Sequence, residues 1–181
     1  GSTAAMLPNL PLDHPLVLTS KTALDLDDIP GSLLIIGGGI IGLELGQVYS
    51  TLGTDVSVVE YMPSLIPGAD DDIAKPLIRK LKKHFKSIML SSKVTNVDVG
   101  FGEGVRVSIE SNNEIKDQVY DKVLVSIGRK PNTKLLSLEN TDIKIDSKGF
   151  IIVDDYQKTS VKGVYAIGDI AGNPMLAHKA T

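Results

Sequence analysis

With 181 residues, 42% hydrophobic and 23% charged at a net charge of −3, the chain can bury a core and has no electrostatic reason to meet a nucleic acid or an anionic membrane surface. Cysteine and tryptophan are absent, which excludes disulfide staples, thiolate zinc sites and cysteine nucleophiles among these residues and leaves too few aromatics for a single-strand stacking platform. No apolar run is long enough to span a bilayer and no signal-like segment opens the sequence, so the cytoplasm is the expected compartment.

Residues 1–30 are punctuated by Pro8, Pro11, Pro15 and Pro30 and keep no helical period; they read as an extended connector with a short turn around Thr22 to Leu26. Leu33-Leu34-Ile35-Ile36 is the compact apolar run of a strand buried on both faces, and three glycines end it. Ile41, Leu45, Val48, Tyr49 and Leu52 then recur at helical spacing up to Gly53, and Val56-Ser57-Val58-Val59 makes the next buried strand. Asp70-Asp71-Asp72 opens a second amphipathic helix with Ile73, Leu77, Ile78, Leu81 and Phe85 on one face. The three aspartates suit a helix N-terminus better than a metal, because no second ligand cluster accompanies them. Lys80, Lys82, Lys83 and Lys86 read as the solvated face.

From Lys93 the pattern alternates: Val94 and Val97, then Val105, Val107 and Ile109, then Val119, with turns at Gly100 to Gly104 and at Asn112-Asn113. This predicts an antiparallel meander. Val123-Leu124-Val125 is a further strand, succeeded from Arg129 by a polar stretch and a short helix near Leu135 to Leu138. Ile151-Ile152-Val153 and Val164-Tyr165-Ala166-Ile167 read as the last two strands. The sum is an α/β fold, a Rossmann-like parallel sheet with helices and an antiparallel β-meander insertion.

Gly37-Gly38-Gly39-Ile40-Ile41-Gly42 fits G-x-G-x-x-G directly after a predicted strand and at the opening of a predicted helix. Gly37 permits the tight turn, Gly39 lets a pyrophosphate approach the backbone, and Gly42 lets helix and strand pack closely. The amides and positive dipole end of that helix then face the phosphates. Glu60 ends the following strand, where a carboxylate accepts hydrogen bonds from adenosine ribose hydroxyls. It repels a 2′-phosphate, and Tyr61 to Ala69 offers no arginine or lysine to receive one, so NAD is expected over NADP. FAD shares the same adenosine diphosphate half and stays open on this motif alone. Glu44, by spacing, reads simply as a good helix former near a positive dipole end.

These residues closely resemble a known family. Gly37 to Gly46, followed by Val58-Val59-Glu60, is similar to the NAD-binding domain of the dihydrolipoamide dehydrogenases, within the pyridine nucleotide-disulfide oxidoreductases. Val123 to Asn132 resembles the strand and glycine turn that close that domain. Thr159 to Asp169 resembles the family's second FAD motif, and Pro174 to Ala180 resembles the segment just after that motif. The resemblance implies that Gly37, Gly38, Gly39, Ile40, Ile41, Gly42, Leu43 and Glu44 form the pyrophosphate turn, with Glu44 toward nicotinamide and flavin. It also implies that Glu60 holds the adenine ribose, that Val94 lines the adenine side and that Gly128 passes the nicotinamide half. Asp169 would bind the ribityl chain of FAD, helped by Met175, Leu176, Ala177 and His178 near the isoalloxazine.

By this resemblance the chain divides into a connector at 1–30, the NAD-binding domain at 31–158 and the start of a second FAD segment at 159–181. The family's redox-active cysteine pair has no counterpart here, and His178 does not match the motif of the acid–base histidine. No catalytic residue is therefore assigned within the chain, which by itself is expected to be inactive. The parent is expected to be a homodimer in a 2-oxo acid dehydrogenase complex, taking electrons from protein-bound dihydrolipoamide to FAD and passing hydride to NAD. Two other readings remain: a domain of another NADH-dependent flavin reductase, and a non-catalytic NAD-binding module.

Overall fold

The computed structural model describes residues 1–7, 10–11, 13–100, 102 and 104–180; Pro8 and two positions of the Gly100–Gly104 turn, 101 and 103, lie outside the described residues. Along the chain run β1 (Ser2–Ala4), β2 (Val17–Thr19), β3 (Ser32–Ile36), α1 (Ile40–Thr51), β4 (Asp55–Val59), α2 (Asp71–His84) and β5 (Ser87–Met89). They are followed by β6 (Ser92–Asp98), β7 (Val105–Ser111), β8 (Glu114–Tyr120), β9 (Lys122–Val125) and β10 (Arg129–Pro131). Two compact units result: Met6–Gly128, and Gly1–Ala5 together with Arg129–Thr181.

In the larger unit a five-stranded parallel sheet has the order β2-β9-β3-β4-β5. Strand alternation splits the apolar residues between its two faces. Leu33, Ile35, Val56, Val58 and Leu124 meet Leu43, Leu45 and Tyr49 of α1 and Leu81 and Phe85 at the end of α2. Leu34, Ile36, Val59, Val123 and Val125 meet Val97, Val105, Val107, Ile109 and Tyr120 of the β6-β7-β8 meander. Each such side chain contributes about 1.5–3 kcal/mol when fully buried, so both faces of the central strands are tied down. The hairpin between β7 and β8 turns on Asn112 and Asn113, both at positive φ (52° and 64°), the backbone a two-residue turn between right-twisted strands requires.

Several expectations need correcting. Val17-Leu18-Thr19, read as connector, is a strand paired to β9, with Val17 and Leu18 buried. Strand β5 was not foreseen, since its three residues show no alternation long enough to read. On α1 the packed stripe is Gly42, Leu43, Leu45, Gly46 and Tyr49, whereas Val48 and Leu52 are exposed. The two glycines bring the helix down on Ile35 and turn the stripe toward themselves. On α2, Ile73 is 70% exposed and Ala74 takes the buried place. Asp70 stands at the N-cap without a side-chain cap, and Asp72 Oδ1 accepts the Ile73 amide at 2.9 Å. The Lys80, Lys82, Lys83 and Lys86 side chains are exposed, as expected.

In the smaller unit β1 and β10 pair antiparallel. The expected helix near Leu135 to Leu138 is two 3-10 turns, Thr133–Leu136 and Leu138–Asn140, broken at Ser137 by its left-handed backbone (φ 49°). The strands expected at Ile151–Val153 and Val164–Ile167 form only single bridges, Ile145 to Ile151 and Lys158 to Tyr165. Neither segment finds a partner strand to extend the ladder, and Ile152, Val164, Tyr165 and Ile167 stay exposed. Among the described residues no helix is long and apolar enough to cross a membrane.

Candidate functional site

Strand β3 ends at Ile36, and the chain reverses into α1 through Gly37, Gly38 and Gly39. Gly37 has φ +108°, and a Cβ on it would stand 2.5 Å from the Ser126 carbonyl oxygen. A Cβ on Gly42 would stand 2.4 Å from Ser126 Oγ and 2.5 Å from the Gly37 oxygen. Only glycine fits either place. Gly39 differs: its φ of −79° suits any residue, and a Cβ there would meet nothing within 4 Å. Its Cα faces open space.

Glu60 comes directly after β4 and is 8% exposed. Its Oε2 accepts the Gly38 amide at 2.6 Å and its Oε1 accepts the Met62 amide at 2.7 Å. The Glu60 backbone is held as well, its amide donating to Met89 O and its carbonyl accepting from Ser92. Two strong charge-assisted bonds occupy one acceptor site on each oxygen and leave the other free. The carboxylate is thus fixed at the mouth of the turn with capacity to spare.

The turn's amides divide into two sets. Gly37 donates to Val59 O at 2.9 Å and Gly38 donates to Glu60, so neither is free for a ligand, contrary to the picture of a wholly open turn. Leu43 donates to Gly39 O, closing the first helical ring. Gly39 and the first three helical residues, Ile40, Ile41 and Gly42, then have no intrahelical acceptor. No side chain caps this end of α1, and its first turn carries no acidic residue. This leaves a helix N-terminus whose own first turn brings no capping or acidic side chain to its partial positive charge, beside the open face of Gly39.

Two side chains that the sequence did not single out hold this arrangement. Ser126, at the end of β9, places Oγ 3.2 Å from the carbonyl oxygens of Ile36 and Gly37. Leu65 is buried against Gly38, and the neighbouring Ile66 amide donates to Gly38 O at 2.9 Å. Ser126 had a faint signal, a hydroxyl interrupting an apolar strand beside a glycine; Leu65 had none.

Of the remaining expected site residues in this unit, Ile40 and Glu44 are exposed and Ile41 is half-buried, while the Leu43 side chain lies in the core. Val94 is half-buried on β6, whose first residue, Ser92, is bonded to Glu60. Gly128 (φ +126°) has open space around it, three residues past the end of β9, and β9 pairs with β3. Asp169 and the segment Met175 to His178 belong to the smaller unit. There Asp169 is partly buried in the turn Gly168–Ala171, hydrogen-bonded by the Ser2 hydroxyl. Met175 and Leu176 are half-buried, Ala177 and His178 exposed. The donors at α1 and the Glu60 carboxylate fit an adenosine diphosphate group, and the Asp169 carboxylate fits a polyhydroxylated chain.

A parallel sheet with helices on one face, a meander on the other and a glycine turn at the carboxyl end of its central strand defines a Rossmann-like domain of the FAD/NAD(P)-binding class. The chain belongs to the pyridine nucleotide-disulphide oxidoreductase family, which it matches over residues 1–181. It is 46% identical over 180 residues to a dihydrolipoyl dehydrogenase of Vibrio cholerae, covering 99% of this chain and 38% of that protein. It is 42% identical over 182 residues to the mitochondrial dihydrolipoyl dehydrogenase 2 of Arabidopsis thaliana, covering 99% and 36%. Among solved structures it is similar to the HOCl-induced flavoprotein disulfide reductase RclA of Escherichia coli, with TM-score 0.87 and 27% identity over 99% of this chain and 40% of that one. It is likewise similar to LpdA of Mycobacterium tuberculosis, with TM-score 0.86 and 29% identity over 99% and 38%. The chain thus spans well under half the length of these relatives.

Proposed function

We propose that this chain is the NAD-binding part of a dihydrolipoyl dehydrogenase, with the turn Gly37 to Gly42 receiving the pyrophosphate and Glu60 the adenosine ribose. The observation that carries the reading is the Glu60 carboxylate, tied to the Gly38 amide at 2.6 Å beside an uncapped helix N-terminus. One element suits phosphate and the other sugar hydroxyls, the two chemistries an adenosine diphosphate presents. Because two amides hold Glu60, it cannot swing away from a 2′-phosphate, which favours NAD over NADP. Glu44 and Gly128 would lie toward the nicotinamide and Val94 toward the adenine. Residues 159–181 would begin the second FAD segment, with Asp169 on the ribityl chain and Met175 to His178 near the isoalloxazine.

In the full-length protein a bound flavin would carry electrons from protein-bound dihydrolipoamide to the nicotinamide of NAD. The contribution of these residues is to bind and orient: proximity, rather than an acid or base from this chain, lowers the barrier. The names of the relatives support this activity; the family resemblance alone suggests a homodimer working in a 2-oxo acid dehydrogenase complex. Without a cysteine the 181 residues alone are expected to be inactive. Calorimetric titration of the chain with ADP-ribose tests the site, and lipoamide-dependent NADH formation by the full-length protein tests the activity. Lack of ADP-ribose binding contradicts the site, and lipoamide-dependent NADH formation by the isolated 181 residues contradicts the division of labour.

A further inference from the structure

In the smaller unit three polar side chains from three separate segments converge: Ser2 on β1, Arg129 on β10 and Asp169 in the turn Gly168–Ala171. We infer that Arg129 is a positioning residue for the flavin, acting on Asp169 through the Ser2 hydroxyl. This rests on the reading of Asp169 as the ribityl-binding carboxylate.

The direction of the hydrogen bonds is decisive. Arg129 Nε donates to Ser2 Oγ at 2.6 Å, and its Nη2 donates to the Ser2 carbonyl at 2.7 Å. The guanidinium therefore grips Ser2 at two atoms, which a lysine's single ammonium cannot reproduce. A serine hydroxyl has one proton and two lone pairs. With a lone pair taken by Arg129, the proton is directed onward, and it goes to Asp169 Oδ2. Arg129 Nε also stands 3.8 Å from that oxygen, with both side chains about a quarter exposed, so attraction between the charges reinforces the relay under partial solvent screening. Across the β1-β10 ladder Arg129 faces Ala4 and reaches diagonally to Ser2, which fixes where the guanidinium can stand.

A carboxylate tied down at one oxygen presents the other in a set direction. An acceptor so prepared binds a ligand hydroxyl without first losing its own rotational freedom, and affinity rises. An arginine serving only to hold β1 to β10 has no need to polarise the hydroxyl that meets Asp169. The relay turns a strand-pairing residue into a support for the Asp169 carboxylate that meets the ligand.

The test uses the full-length flavoprotein stripped of FAD and titrated with it, following quenching of flavin fluorescence. Ser2→Ala and Arg129→Met are each expected to raise the FAD dissociation constant about 5–30-fold, the effect of losing one charge-assisted bond. Ser2→Thr keeps the hydroxyl and restores affinity. ADP-ribose binding at the glycine turn stays at the wild-type value in all of them. In an Asp169→Asn background Arg129→Met adds nothing, because the group it acts through is already lost. Wild-type FAD affinity in Arg129→Met and Ser2→Ala, or full additivity with Asp169→Asn, overturns the inference while leaving the Asp169 assignment standing. Wild-type affinity in Asp169→Asn overturns that assignment and the inference together. Should Arg129→Met fail to fold, the Ser2→Ala and Ser2→Thr pair decides alone.

Discussion

The carboxylate of Glu60 accepts the Gly38 amide at 2.6 Å, joining the end of one strand to the turn at the end of its neighbour. One side chain thereby sets the shape of the turn proposed to receive the phosphates and the position of the acceptor proposed for the sugar. Removing it damages both.

Glu60→Ala should therefore weaken ADP-ribose and NADH by about 1–3 kcal/mol and also lower stability, since the buried Gly38 amide and the part-buried Met62 amide lose their acceptor. Glu60→Gln is expected to do little better. Its amide group offers one oxygen and one NH2, so either the Gly38 or the Met62 amide would face another donor. Paired calorimetry and urea denaturation of both variants check this; Glu60→Gln matching wild type in both contradicts it.

Gly39 and Gly42 separate binding from folding. Gly39→Ala meets no protein atom and should retain the wild-type melting temperature while losing most NADH affinity, because the new methyl occupies the pyrophosphate's approach. Gly42→Ala drives a methyl to 2.4 Å from Ser126 Oγ and should cost about 1–3 kcal/mol of stability or more. Thermal melts alongside titration distinguish the two.

Ser126→Ala keeps the strand but deletes the hydroxyl that bonds the carbonyls of Ile36 and Gly37. A loss of about 0.5–1.5 kcal/mol in stability is expected, read from the urea midpoint at constant slope.

Tyr49 gives a pH dependence. Its hydroxyl donates to Ala23 O at 2.8 Å, and burial, with the charges of Asp28 and Asp25 behind it, raises its pKa above the ordinary 10.0. The native state then holds the phenolic proton more tightly than the unfolded chain. This contribution is complete below the ordinary tyrosine value and is lost as pH rises from there through the native one. Tyr49→Phe should cost about 1 kcal/mol at neutral pH and flatten the alkaline fall in stability. Tyr120, also raised by burial, keeps part of that fall in the variant. An unchanged alkaline slope in Tyr49→Phe contradicts the account.

The sequence made the central sheet legible because strands buried on both faces read as unbroken apolar runs, as in Leu33 to Ile36 and Val56 to Val59. The glycine turn was legible because sterics leave no alternative to glycine at positions 37 and 42. Strand β2 was hidden by the prolines around it, its three residues making a strand only because β9 offers a ladder. The opposite error occurred at Ile151 and Val164, where β-prone residues have no neighbour to pair with beyond one bridge. The Glu60–Gly38 bond was out of reach of spacing alone, since motif reasoning places the carboxylate near the turn without saying that it consumes one of the turn's amides. The Ser2–Arg129–Asp169 relay joins residues 167 apart in sequence and had no local signature.

The most direct test of the central claim is competition at the glycine turn between nicotinamide cofactors that differ only by a 2′-phosphate. Calorimetric titration of the protein with NADH and with NADPH, at one ionic strength, should find NADH bound and NADPH weaker by at least an order of magnitude. Equal affinity for the two would mean that Glu60 does not meet the adenosine ribose, and the assignment of this turn would fail.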